Sequence, residues 1–125
     1  MSTDNIKHKE LSEIIIGSSM RLLNEIKPGL DEKLYERALV IEMTDNSIHI
    51  DQQKPYKVFY RSQQIGKLIP DLIVDNRVIV DTKTVTAFND NHIAQMLGYL
   101  SITGLELGIL INFKYAKLQW KRIVL

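Results

Sequence analysis

The chain has 125 residues, 45% of them hydrophobic and 25% charged, a balance that suits one soluble domain with a modest core. It has no cysteine, which excludes disulfides and thiolate metal sites. Its first twenty residues carry charges throughout, which fits neither a signal peptide nor a membrane span, and a cytoplasmic protein is expected. The net charge is +1, so any basic surface for nucleic acid must be local rather than a property of the whole chain.

Residues 1–10 are polar and of mixed charge, and a flexible start is expected there, with a single domain over 11–125. From Leu11 to Ile26 the apolar residues Ile15, Met20, Leu22, Leu23 and Ile26, with Ile14 and Ile16 beside them, form a broad helical stripe. Pro28-Gly29 stops that helix. A second helix is predicted from Asp31 to Thr44, with Leu34, Ala38, Leu39, Ile41 and Met43 on its apolar side. Asp31 and Glu32 fall in its first turn, where the helix dipole favours acids, and this alone accounts for Glu32 unless a site recruits it. Tyr35 lies one turn further on. It either fixes Glu32 by a hydrogen bond or packs as an amphipathic core residue.

Strands follow. Ile48-His49-Ile50-Asp51 alternates, and Pro55 marks an edge or a break. Tyr56–Tyr60 and Ile65–Ile69 read as strands around a turn at 61–64. His49 has no partner at ligand spacing and is not a metal candidate. Leu72-Ile73-Val74 and Val78-Ile79-Val80 flank Asp75-Asn76-Arg77, a hairpin signal. Its polar content needs a reason, because Asp71 precedes the first run while Asp81 and Lys83 end the second. A three-residue loop pairs Val74 with Val78 and sets Asp71 opposite Asp81, both on one face. A two-residue loop sets Asp71 opposite Val80 and separates the acids.

After a connector over 84–89, Asn89 or Asp90 caps a third helix carrying Ile93, Met96, Leu97 and Leu100, with Gly104 beyond its end. Gln95 and Tyr99 are four apart and share a face of it. Leu107–Phe113 is nearly all apolar and fits a strand buried on both faces, and Leu118–Val124 a final edge strand. The order of elements gives an α/β fold, a mixed sheet flanked by helices.

The residues Pro70-Asp71 followed by Asp81-x-Lys83 resemble the PD-(D/E)xK nuclease core, the restriction-endonuclease-like fold. Gln95-Met96-Leu97-Gly98-Tyr99 is similar to the QxxxY motif of its RecB-like branch. Gly29-Leu30-Asp31-Glu32-Lys33-Leu34-Tyr35 resembles the GxxExxY signature of a family of small nucleases of this fold. The acid-x-lysine tripeptide carries little by itself, since it also occurs at Glu25–Lys27 and Asp31–Lys33. The ordered series Glu32, Asp71, Asp81, Lys83, Gln95, Tyr99 carries the specificity. The resemblance implies an α-β-β-β-α-β core and a metal-dependent nuclease. Mg²⁺ or Mn²⁺ would be held by Asp71, Asp81 and the main chain of Thr82, with Glu32 as a further metal-site residue. Lys83 and Gln95 would be catalytic, and Tyr99 would contact the nucleic-acid backbone. Asp81 stands where relatives often carry Glu, one methylene longer.

Two other classes remain. One is a nuclease fold without catalysis, acting as a nucleic-acid or protein-binding module; divalent-metal binding separates it from an enzyme. The other is an assembly protein in which Tyr56, Phe59, Tyr60 and Trp120 form a homodimer surface.

Overall fold

The computed structural model describes residues 8–125. In chain order these form α1 (Lys9–Ile26), α2 (Glu32–Thr44), β1 (Ile50–Gln52), β2 (Tyr56–Tyr60), β3 (Gln63–Leu68), β4 (Leu72–Val74), β5 (Val78–Lys83), α3 (Asp90–Thr103), β6 (Leu107–Asn112) and β7 (Gln119–Val124). Most of the start expected to be flexible lies outside the described residues. Lys9 and Glu10 do not: they open α1, with Glu10 in its first turn and a Lys9–Glu13 pair at 3.9 Å supporting it.

Five strands make one sheet in the order β1-β4-β5-β6-β7. Every pairing is antiparallel except β5 with β6, which run parallel because α3 carries the chain across between them. Every residue of β6, and β5 from Val78 to Thr82, is buried, as expected for strands covered on both faces. This is the mixed, helix-flanked sheet that the order of elements implied.

Alternation splits the core in two. Leu72, Val74, Val78, Val80, Ile109 and Ile111 pack under α1 and α2. Ile73, Ile79 and Leu110 pack under Met96 and Leu100 of α3 on the other face. Odd-numbered residues of the hairpin therefore face α3, and this face receives Asp71, Asp81 and Lys83.

Strands β2 and β3 pair only with each other, as a ribbon apart from the sheet. The sequence offers no sign of that separation. Their turn is two residues, Arg61 and Ser62, both left-handed, rather than the four expected. At α3 the expected cap is present as a reciprocal pair. Asn89 Oδ1 accepts from the His92 N–H at 3.0 Å, and the Asn89 N–H donates to His92 Nδ1 at 3.1 Å. Gly104 closes the helix in the left-handed region.

Tyr35 takes the core alternative. It is fully buried, with its ring stacked on Phe113 at 4.9 Å. Its hydroxyl donates to the Lys27 carbonyl at 2.7 Å and accepts from the Leu30 N–H at 3.1 Å, so it pins the α1–α2 loop rather than Glu32. Gly29, between those two contacts, has φ 111°, open only to glycine. Tyr35→Phe leaves the ring in place and orphans two loop groups. A loss of about 1–3 kcal/mol in denaturant unfolding is expected, and an unchanged midpoint would show that the loop does not need the hydroxyl.

Candidate active site

The hairpin takes the three-residue loop. Val74 pairs with Val78, Ile73 with Ile79 and Leu72 with Val80. Asp75 and Asn76 are both left-handed, which short polar side chains tolerate, and the Arg77 N–H closes the turn onto the Val74 carbonyl at 3.0 Å. The next step of this register sets Asp71 opposite Asp81. The ladder itself stops at Leu72, and the carboxylate of Asp71 replaces it by accepting from the Thr82 N–H at 3.2 Å.

Asp81 is only 5% exposed. Its Oδ2 lies 3.0 Å from Nζ of Lys83, two residues on and on the same face, with the lysine side chain 15% exposed. Glu32 begins α2 at the end of the sheet, close enough to Lys83 and Asp71 for each to affect its ionisation. Thr82 turns its side chain to the other face, where its hydroxyl is buried without a partner among the described residues. Its N–H points at Asp71, and the carbonyl of a strand residue points to the same edge as its N–H.

Burial, a hydrogen bond to Asp81 and the charge of Asp81 together push Asp71 up to about 7, against the opposing effect of the Thr82 N–H and Lys33. Burial likewise raises Glu32, which Lys83 partly offsets. Burial alone would lower Lys83, but the charge and hydrogen bond of Asp81, then Glu32 and Asp71, outweigh it and hold the ammonium above its ordinary value. Tyr99 is raised by burial and by Asp81 and Asp71. Two half-desolvated acids thus share a corner with a firmly protonated lysine, and a phenol from α3 lies within their field.

Gln95 and Tyr99 lie on one face of α3. With Gly98, Ile102, Val58 and Leu68 they line a depression of about 340 Å³ between α3 and the ribbon. Tyr99 is half-buried and senses the acids. Gln95 is exposed and has no hydrogen bond to Asp71, Asp81 or Lys83.

One member of the site was missed from the sequence. Glu36, 2% exposed, accepts from Lys33 Nζ at 3.3 Å, Gln52 Nε2 at 2.8 Å and Gln53 Nε2 at 3.1 Å. Gln53 also reaches Asp71. Its N–H donates to the Asp71 carbonyl at 2.9 Å, and its amide lies 3.5 Å from Oδ1. The available signal was the spacing of Glu36, one helical turn beyond Glu32. The obstacle was the segment from Gln52 to Pro55, which has no periodicity to place it.

Among the described residues, no three of His, Cys, Asp and Glu gather tightly enough to cage a metal unaided. The donor set does fit a hard divalent ion that keeps several waters. It offers two neighbouring carboxylates, one of them raised by burial and by the other acid, and an edge lined by a backbone carbonyl. Acids at facing strand ends with a lysine two residues on thus meet at one corner of a mixed sheet. Comparison with protein families matches residues 9–123 to the PD-(D/E)XK nuclease superfamily, and the chain belongs to it. Neither a curated protein nor a solved structure matches the chain.

Because the folded state holds the Asp71 proton more tightly than the unfolded chain, the stability this group contributes is complete below the ordinary carboxylate range. It is lost as pH rises from about 4 through about 7. In chelator, the wild type should therefore melt at a lower temperature at pH 8 than at pH 5, and Asp71→Asn should flatten that slope. Thermal unfolding at the two pH values checks this, and parallel slopes for the two proteins would refute it.

Proposed function

We propose that this chain is a small divalent-metal-dependent nuclease of the GxxExxY kind, hydrolysing phosphodiester bonds of nucleic acid in the cytoplasm. The observation that carries the reading is the convergence of Asp71, Asp81 and the Lys83 ammonium on one face, past the end of β4, in a chain of the nuclease superfamily. Asp71 and Asp81 would hold Mg²⁺ or Mn²⁺ together with the Thr82 carbonyl, and Glu32 would reach the same ion through water. A bound ion of this kind lowers the pKa of water and offsets charge at the phosphate.

The protein's own groups supply the rest. Lys83 stays protonated, so its role is a fixed positive charge beside the phosphate rather than a general base. Tyr99, with its pKa raised, keeps its proton near neutral pH and donates to a phosphate oxygen. Gln95, on the same helix face, offers an amide to the adjoining nucleotide. Gly29, Glu32 and Tyr35 support the GxxExxY assignment. The glycine makes the loop, the tyrosine locks it, and the glutamate is delivered beside Lys83.

The test is purified protein with labelled single- and double-stranded DNA and RNA, in Mg²⁺, Mn²⁺ or chelator. Lys83→Ala should bind metal as the wild type does but cleave on the order of 10²-fold more slowly or worse. Asp81→Asn should weaken the metal itself, with partial rescue by excess Mn²⁺. If wild type and Lys83→Ala behave alike on every substrate, the enzyme reading goes and a binding module takes its place.

Thr82 separates main-chain from side-chain roles. Thr82→Val removes a buried hydroxyl without a partner and leaves the carbonyl. It should keep full activity and gain about 1 kcal/mol in unfolding. A loss of metal affinity in this variant would assign the hydroxyl, not the carbonyl, to the site.

A further inference from the structure

The ribbon of β2 and β3 has a composition unlike the rest of the chain. Residues 56–68 contain Lys57, Arg61 and Lys67 and no acid, so the remainder carries −2, the chain's +1 less the ribbon's +3, and Lys54 just before the ribbon pairs with Asp51 at 3.8 Å. Lys57 and Lys67 are cross-strand partners and share a face. Like charges directly opposite destabilise a ladder, and among the described residues neither lysine, nor Arg61, has a carboxylate within ion-pair distance.

Lysines alone would be ordinary protection of a free strand edge. The aromatics beside them are not. Phe59, two residues from Lys57 and on its face, is 58% exposed. Tyr60 is 60% exposed, with the guanidinium of Arg61 at 5.1 Å from its ring centre. Exposed rings among unpaired cations are chemically complementary to a strand that presents both phosphates and unstacked base faces.

The ribbon is also fixed to the acid corner. Its incoming root is Gln53, bonded to the Asp71 carbonyl, and its outgoing root runs from Leu68 through Ile69 and Pro70 into Asp71. The inner side of the ribbon, at Val58 and Leu68, forms one wall of the depression whose other wall carries Gln95 and Tyr99. Alternation along β2 puts Tyr60 on the side of Val58, so that side runs from Tyr60 along the depression to Tyr99, while Lys57, Lys67 and Phe59 line the ribbon's other face.

We propose that the β2–β3 ribbon is a binding arm for single-stranded nucleic acid that crosses it from one face to the other: Lys57 and Lys67 hold phosphates and Phe59 stacks a base on the outer face, and Tyr60 stacks a base on the side of Val58. From Tyr60 the strand then passes along the depression to Tyr99. A duplex hides its base faces, so it lacks the stacking contribution. A second copy of this chain seated on the ribbon would bring lysines against lysines. For what lies at the ribbon's root, the proposal rests on the nuclease reading.

The test compares wild type, Lys57→Glu/Lys67→Glu and Phe59→Ala/Tyr60→Ala, each of which changes exposed residues. Binding of a fluorescent single-stranded oligonucleotide is read by anisotropy in chelator, where no cleavage occurs, over a range of salt. Cleavage of bis-p-nitrophenyl phosphate in Mn²⁺, a substrate too small to reach the ribbon, is read separately. Removing the rings should weaken oligonucleotide binding on the order of tenfold or more per ring. Removing the lysines should lower the slope of log affinity against log salt by about 0.7 for each phosphate that is no longer neutralised. Both variants should leave cleavage of the small substrate unchanged, and wild type should prefer single strand to duplex.

Wild-type affinity in both variants overturns the arm whatever the cleavage assay gives. So does equal binding of duplex, or a concentration-dependent dimer that the ring variant dissociates while oligonucleotide binding is unaffected. Failure of the nuclease reading is distinct: the small substrate is then untouched by wild-type protein, while loss of oligonucleotide binding in the variants still supports the arm.

Discussion

Two carboxylates in one desolvated corner are the constraint on which this structure turns. Asp71 and Asp81 are brought opposite each other by a three-residue turn, and a turn shorter by one residue would separate them. The strand must then end early enough to leave room. Pro70 has no N–H to give to a ladder, and the pairing stops at Leu72. The Thr82 N–H that a longer strand would have used is left for the Asp71 carboxylate. Gathering acids where water is scarce is unfavourable, which is why Asp71 is raised to about 7, and of the two acids only Asp81 has the Lys83 ammonium within ion-pair distance. Such a corner is relieved either by the proton that Asp71 holds or by a cation between the two carboxylates.

The layer under α2 serves the same corner from behind. Glu32 stands where the helix dipole favours an acid, but its position is decided by the loop before it. That loop turns at Gly29, and the Tyr35 hydroxyl grips its backbone on both sides of the glycine. Three residues that look like separate signature positions thus act as one device that delivers a carboxylate beside Lys83. One turn later, Glu36 is buried and matched by Lys33, Gln52 and Gln53. A buried carboxylate without those donors would be costly, so the donors are held where they are, and Gln53 carries that order on to Asp71.

What was legible in the sequence follows from which features are local. The α3 cap at Asn89, its end at Gly104, the buried β6 and the hairpin at Asp75–Arg77 depend on neighbouring residues, and each is present. The pairing of Asp71 with Asp81 was readable as one branch of a fork, because register follows turn length. Tyr35 was readable as one of two alternatives, because helical spacing places it near Glu32 but cannot see the loop folding back over it. The separation of β2 and β3 from the sheet was not readable. Their alternation is that of any strand pair, and only the occupation of the β4 edge by β1 excludes them. Glu36 was hidden for a related reason: its two glutamine partners lie sixteen and seventeen residues away, in a stretch without periodicity.

The ribbon and the acid corner are better understood as one unit than as two features. Both ribbon roots end on Asp71, one through the Gln53 N–H and one through the chain itself, so the ribbon is not set independently of the acid. Charge is divided along the same line. The ribbon holds cations without acids, while the corner holds three acids, Glu32, Asp71 and Asp81, against Lys83 and, at Asp71, Lys33. A polyanion approaching the corner alone would meet carboxylates first, whereas the ribbon's outer face presents Lys57 and Lys67, and its other face adjoins Tyr99. A net charge of +1 conceals this division, because the two halves nearly cancel. Nearly neutral overall charge is therefore compatible with handling a polyanion when the basic surface is local and physically joined to the acids.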